Sequence, residues 1–267
     1  MYPHDIIPGI NLYVIMIVVG LLGAFIVLRL YLDKKFVSPR IQNFYLVLTA
    51  VSILVGFISA NFFQALYDFI ETGKFSLKNA GITFLGGLIG GTATFLSVTF
   101  YNVRRDEELK KSLPVIFELA PCAICLAHAL GRLGCFFAGC CYGEITDSVF
   151  GVKFYGESVK RHPTQLYEAI FLFIMFAVTS FLYFKDYRLS FVSYLMGYGL
   201  FRFIIEYLRD DYRGSSLVSF LTPSQFISIL MIALGAGLLY VFFVNRQGAL
   251  FKNSDQKKKK KDKNTLI

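Results

Sequence analysis

Seven stretches of this 267-residue chain are apolar over lengths that cross a hydrocarbon core, which takes about 20 residues of helix. Ile6–Leu28, Ile41–Tyr67 and Asn79–Val103 hold no charged side chain. Ser112–Ala138 is apolar but interrupted by Glu118, His128 and Arg132. Leu166–Phe184, Leu189–Leu208 (with Arg202 and Glu206) and Pro223–Val244 complete the set. At 55% hydrophobic residues, with 29 Phe, a water-soluble domain of this length would expose too much apolar surface. The expected fold is an all-α integral membrane bundle of seven transmembrane helices. It forms one membrane domain over residues 1–250, followed by a basic tail, 251–267, without fixed structure.

Basic residues set the expected orientation. The first connection carries Arg29, Lys34, Lys35 and Arg40, and the third carries Arg104, Arg105, Lys110 and Lys111. The fifth has Lys185 and Arg188, and the tail has Arg246, Lys252 and Lys257–Lys261. Lys74, Lys78, Lys153, Lys160, Arg161, Arg209 and Arg213 lie in the other connections, mixed with acids or spread along longer loops. The N-terminus is therefore expected outside and the C-terminus in the cytoplasm. No basic segment precedes the first span, so that span is expected to be retained rather than cleaved as a signal peptide. The net charge of +9 owes much to the lysine tail, which suits anionic lipid headgroups or plain solvation. No folded basic surface points to nucleic acid. The longest connection, residues 139–163, is expected to be an extracytoplasmic loop region with a short strand within Val149–Tyr155.

Ionisable residues inside a membrane are costly and mark sites. Glu118, Cys122, Cys125, His128, Arg132 and Cys135 recur at spacings of 4, 3, 3, 4 and 3, so they share one side of a helix within an arc of about 140°. Rise per residue places Arg132 ~30 Å from the inner boundary, Arg202 ~20 Å and Glu206 ~26 Å. Tyr13, Gly86, Gly87 and His162 are expected near the same outer level. All five cysteines fall in the pattern C-x2-C-x9-C-x4-C-C between 122 and 141. That spacing straddles a membrane helix and has no second paired motif, so no zinc or other metal site is expected, nor any cofactor.

Several segments resemble the prolipoprotein diacylglyceryl transferase family. These are Gly131-Arg132-Leu133-Gly134 followed by Phe136 and Gly143, the Gly-rich stretch Phe84–Gly90, Arg161–Glu168, and Tyr198–Glu206. Tyr13 resembles the family's first-helix tyrosine. The chain departs from the pattern at Cys135, where the family has Asn, at Cys140, where it has Glu, and at Leu85, where it has His. The resemblance thus describes a divergent, cysteine-rich member.

It implies an enzyme of the bacterial cytoplasmic membrane that passes the diacylglyceryl group of phosphatidylglycerol to a thiol, with a lipoprotein precursor as acceptor. Such a reaction needs cations on the phosphate and a base for the thiol. Arg132 and Arg202 suit the first role, with Glu206 orienting Arg202, and His128 suits the second ahead of His162. Cys135 and Cys140 complete the expected catalytic set. Tyr13, Gly86, Gly87, Gly143, His162, Gln165 and Tyr167 are the expected substrate-binding residues. For the cysteines, a disulfide holding the loop is the leading expectation, beside a nucleophilic role or a redox centre. Two alternatives stay open for the whole protein: a family member using another acceptor, and a thiol-redox or non-catalytic phospholipid-binding membrane protein.

Overall fold

The computed structural model describes residues 4–73, 75–78, 81–210 and 220–264. Lys74, Asn79 and Arg213, used above for loop charge and span limits, lie outside the described residues. The chain is 74% helical, and among the described residues seven α-helices overlap the seven apolar runs. They are α1 (Leu12–Lys34), α2 (Pro39–Thr72), α3 (Phe84–Val103), α4 (Glu107–Ala138), α5 (Thr164–Phe184), α6 (Ser190–Ile205) and α7 (Pro223–Asn264). Among the described residues α1, α2, α4, α5 and α7 are long and apolar enough to cross a membrane. The 20-residue α3 and the 16-residue α6 fall outside that group. The helical backbone of α7 runs on to Asn264.

Local chemistry sets the helix ends. Pro39 opens α2, where its missing N–H costs nothing, and Gly73 closes it at φ 73°, its N–H bonded to Phe69 O. Asp106 Oδ1 accepts the Glu108 and Leu109 N–H groups at 2.9 and 3.3 Å, capping α4. Pro163 precedes α5, and Glu118 Oε2 accepts the Ser190 N–H at 2.7 Å at the start of α6. The first polar residue of the α4 arc thus has a structural task.

The chain divides into two compact units, Met1–Ala24 with Glu118–Ile267, and Phe25–Phe117. In the second unit α2 packs on α3 through glycines. A Cβ at Gly86 would meet the Phe63 Cβ at 2.6 Å, and one at Gly90 the Ser59 Cβ at 2.3 Å. Ser59 Oγ also donates to Gly86 O at 2.8 Å. Gly87 faces Ala60 and Gly56 in the same seam. Close helix approach therefore accounts for Gly86 and Gly87.

In the first unit, Cys125, Ala129, Leu172, Met175 and Tyr198 form a buried core from α4, α5 and α6. Gly20 sits against Ala127 O, and the Tyr13 ring against Gly134, so the first half of α1 lies along α4. The loop after α4 carries a two-stranded antiparallel pair, β1 (Val152–Lys153) with β2 (Lys160–Arg161). Gly143 bridges to Arg209 and Ile145 to Arg161. A Cβ at Gly143 would lie 2.2 Å from Leu208 O and 2.8 Å from Thr164 Cγ2, so only glycine fits where these backbones cross.

Candidate active site

At the centre of the first unit lies a carboxylate, Glu168, on the second turn of α5. It is fully buried. Three side chains from two other helices converge on it. Arg132 Nε of α4 stands 2.9 Å from Oε2, His128 Nε2 lies 3.5 Å from Oε1, and the Tyr198 hydroxyl of α6 donates to Oε1 at 2.7 Å. The Arg132–Glu168 contact is an ion pair whose N–H is not aligned as a hydrogen bond. The His128 distance is long for a hydrogen bond, but the ring is also held edge-on to Tyr198, with centroids 5.3 Å apart. A buried carboxylate is tolerable only with such partners.

Arg132 is thereby anchored by one nitrogen. Among the described residues, none donates to or accepts from its two Nη groups, and its side chain is 13% exposed. A guanidinium fork has the shape to meet two phosphate oxygens.

A second buried pair lies at the end of α6. Arg202 Nη2 stands 2.7 Å from Glu206 Oε2 and donates to Ser224 Oγ at 2.8 Å. Thr222 Oγ1 donates to Glu206 Oε1 at 2.9 Å. The Arg202 charge is felt at both Glu168 and His128, so the two pairs belong to one electrostatic site.

Beside Arg132 the chain leaves α4 and doubles back. Gly139 and Cys141 adopt left-handed backbone, φ 68° and 63°, and the Cys140 N–H bonds to Cys135 O at 3.2 Å. Positive φ is strained for cysteine, and the turn is tied down from α5. Thr164 Oγ1 donates to Cys141 O at 3.0 Å, and Gln165 Nε2 donates to Cys140 O. This turn brings the sulfurs of Cys135, Cys140 and Cys141 within 4.8 Å of one another. Sequence spacing argued against a metal site, because it cannot reveal a left-handed reversal after the last helical turn. All five cysteines are free thiols, so the expected disulfide is not formed. The Cys140 thiol donates to the Cys135 backbone oxygen at 3.6 Å instead. Hydrogen bonds from Cys135 and Cys140, with the Arg209 and Arg132 charges, hold the Cys141 thiol well below its ordinary range. The neighbouring Cys135 and Cys141 thiols, with burial, push the Cys140 thiol up.

Comparison with known proteins bears on what this arrangement is for. A sequence profile of the prolipoprotein diacylglyceryl transferase family matches residues 5–241. The chain belongs to that family. It is 33% identical over 247 residues to the phosphatidylglycerol–prolipoprotein diacylglyceryl transferase of Clostridium tetani, covering 88% of this chain and 92% of that one. It is 30% identical over 249 residues to the enzyme of that name from Wolbachia sp. subsp. Drosophila simulans, covering 87% and 90%. A protein of Clostridium perfringens named phosphatidylglycerol–prolipoprotein diacylglyceryl transferase 2 is 35% identical over 170 residues.

Of the expected site residues, the fold brings His128, Arg132, Arg202 and Glu206 together, with Cys135 and Cys140 on the adjoining turn. His162 and Tyr167 pair with each other, Nδ1 to hydroxyl, at 3.2 Å. Gln165 is fully buried, and its Nε2 ties down the cysteine turn. Tyr13 packs on Gly134, two residues from Arg132, and its phenol feels the charges of Arg132 and the three cysteines. Gly86 and Gly87 belong to the other compact unit. Sequence inspection missed Glu168 as a site residue, together with Tyr198. The signal was present: Glu168 is the one charged residue within the run Leu166–Phe184.

Proposed function

We propose that this protein moves the diacylglyceryl group of phosphatidylglycerol onto the cysteine thiol of a lipoprotein precursor. The setting is the bacterial cytoplasmic membrane, crossed by seven spans with the N-terminus outside. The names of its relatives support the reaction class. The observation that carries the assignment to this site is Arg132, fixed through Nε by Glu168 with both Nη groups unengaged by the described protein. Bound there, a phosphodiester has its charge met as the C–O bond breaks and glycerol phosphate departs. Arg202, steadied by Glu206 and Ser224, provides the second cation. His128, held beside Glu168 and Tyr198, takes the thiol proton.

Purified protein in vesicles containing labelled phosphatidylglycerol is expected to release glycerol phosphate when a cysteine-bearing lipobox peptide is added, and to label the peptide. Release without peptide, or none with it, contradicts this acceptor. The orientation predicts that a fluorescent protein fused to the C-terminus matures in the cytoplasm; a dark, exported fusion reverses it.

A further inference from the structure

We propose that Cys135, Cys140 and Cys141 form a three-thiolate zinc site whose open fourth position takes the acceptor thiol. The proposal rests on the transferase reading above and adds how the nucleophile is made.

The geometry is that of a prepared site. Zinc–sulfur bonds of about 2.3 Å in a tetrahedron put sulfurs ~3.8 Å apart. The three sulfurs already lie within 4.8 Å of one another, so the ion closes them by about 1 Å or less. Their backbone is set before any metal arrives. Cys135 sits on the last turn of α4, Cys141 is held in left-handed conformation, and α5 fixes the turn through Thr164 and Gln165. Three protein ligands are the number that leaves zinc an exchangeable position, whereas structural sites close with four. Among the described residues no further Cys, His, Asp or Glu joins the group. Three thiolates and a divalent ion carry net negative charge, and the Arg132 and Arg209 guanidiniums act on this cluster.

The chemistry suits the position. Arg132 precedes Cys135 by one helical turn, so a lipid phosphate on its Nη groups and a thiol on the metal are brought side by side. On coordination the acceptor thiol gives up its proton, which passes to His128, because a metal-bound thiol is deprotonated outright. A lone pair of that thiolate sulfur attacks the terminal glyceryl carbon. The carbon–oxygen bond breaks, and its electron pair leaves with glycerol phosphate. The product thioether is a weak zinc ligand and departs, returning the site. Lipidation of one of the three cysteines themselves would instead be a dead end, because a second thiol does not displace a thioether.

The test uses the full chain, reduced and metal-stripped, in phosphatidylglycerol nanodiscs titrated with Zn2+ or Co2+. One metal per chain is expected, with the intense thiolate-to-cobalt absorption of a three-sulfur site. Cys135→Ser, Cys140→Ser and Cys141→Ser each weaken binding by about 100-fold, while Cys122→Ser, away from the cluster, leaves it unchanged. A cysteine peptide shifts the cobalt visible bands and an S-alkylated peptide does not. Lack of stoichiometric metal, a peptide without effect on the bands, or Cys→Ser variants that transfer lipid at the full rate would overturn the zinc site and leave the transferase reading standing. Stoichiometric metal and peptide binding with no phosphatidylglycerol cleavage would do the reverse.

Discussion

Glu168 carries more of the site than any other side chain. It is buried without access to water, and it meets an arginine, a histidine and a tyrosine from two other helices. Removing one partner of such a pair leaves an unbalanced buried charge, which costs about 3–5 kcal/mol. Glu168→Gln is therefore expected to lower the melting temperature in detergent clearly and to abolish lipid transfer, because Arg132 loses its anchor. An unchanged melting curve would mean that Arg132 is held by something else. The polar arc on α4 pointed to His128 and Arg132 from spacing alone. Their common partner was not legible that way, because the arc argument works within one helix and Glu168 comes from another.

At the scale of elements, two kinds of close approach shape the molecule. In the α2–α3 seam, Gly86 and Gly90 admit Phe63 and Ser59 where no Cβ fits. Gly90→Ala is expected to destabilise by about 1–3 kcal/mol through overpacking. Gly237→Ala on α7, where a Cβ meets nothing within 4 Å, is expected to stay within about 1 kcal/mol of the parent. Equal melting temperatures for the two variants would remove the packing account of the glycine-rich stretch. The other approach is the reversal after α4, where Gly139 and Cys141 turn the chain and Gly143 passes under Leu208. Helices were legible from apolar run length, and β1 falls inside the expected segment Val149–Tyr155, whereas its partner β2 at Lys160–Arg161 lies outside it. The cysteine cluster was not legible, since left-handed backbone at a non-glycine residue leaves no mark in composition or period.

For the whole molecule, the chain's class follows from seven apolar runs realised as seven helices, five of them long and apolar enough to span a bilayer. Family membership over residues 5–241 supplies the reaction class, and we propose its place at the buried ions of one compact unit. Three positions depart from the family's pattern, at Leu85, Cys135 and Cys140. The arginines remain, and two of the three departures build the sulfur cluster beside Arg132. The account therefore stands or falls on Arg132 as the phosphate-binding group. The most direct measurement is the rate of peptide-dependent glycerol phosphate release by Arg132→Ala and Arg132→Lys, each at wild-type abundance and fold. Loss of one such charge-stabilising donor predicts a fall of about 100-fold or more in the alanine variant. The lysine variant recovers only part of it, because a point charge cannot grip two oxygens as a fork does. Release by Arg132→Ala at the wild-type rate would contradict the account.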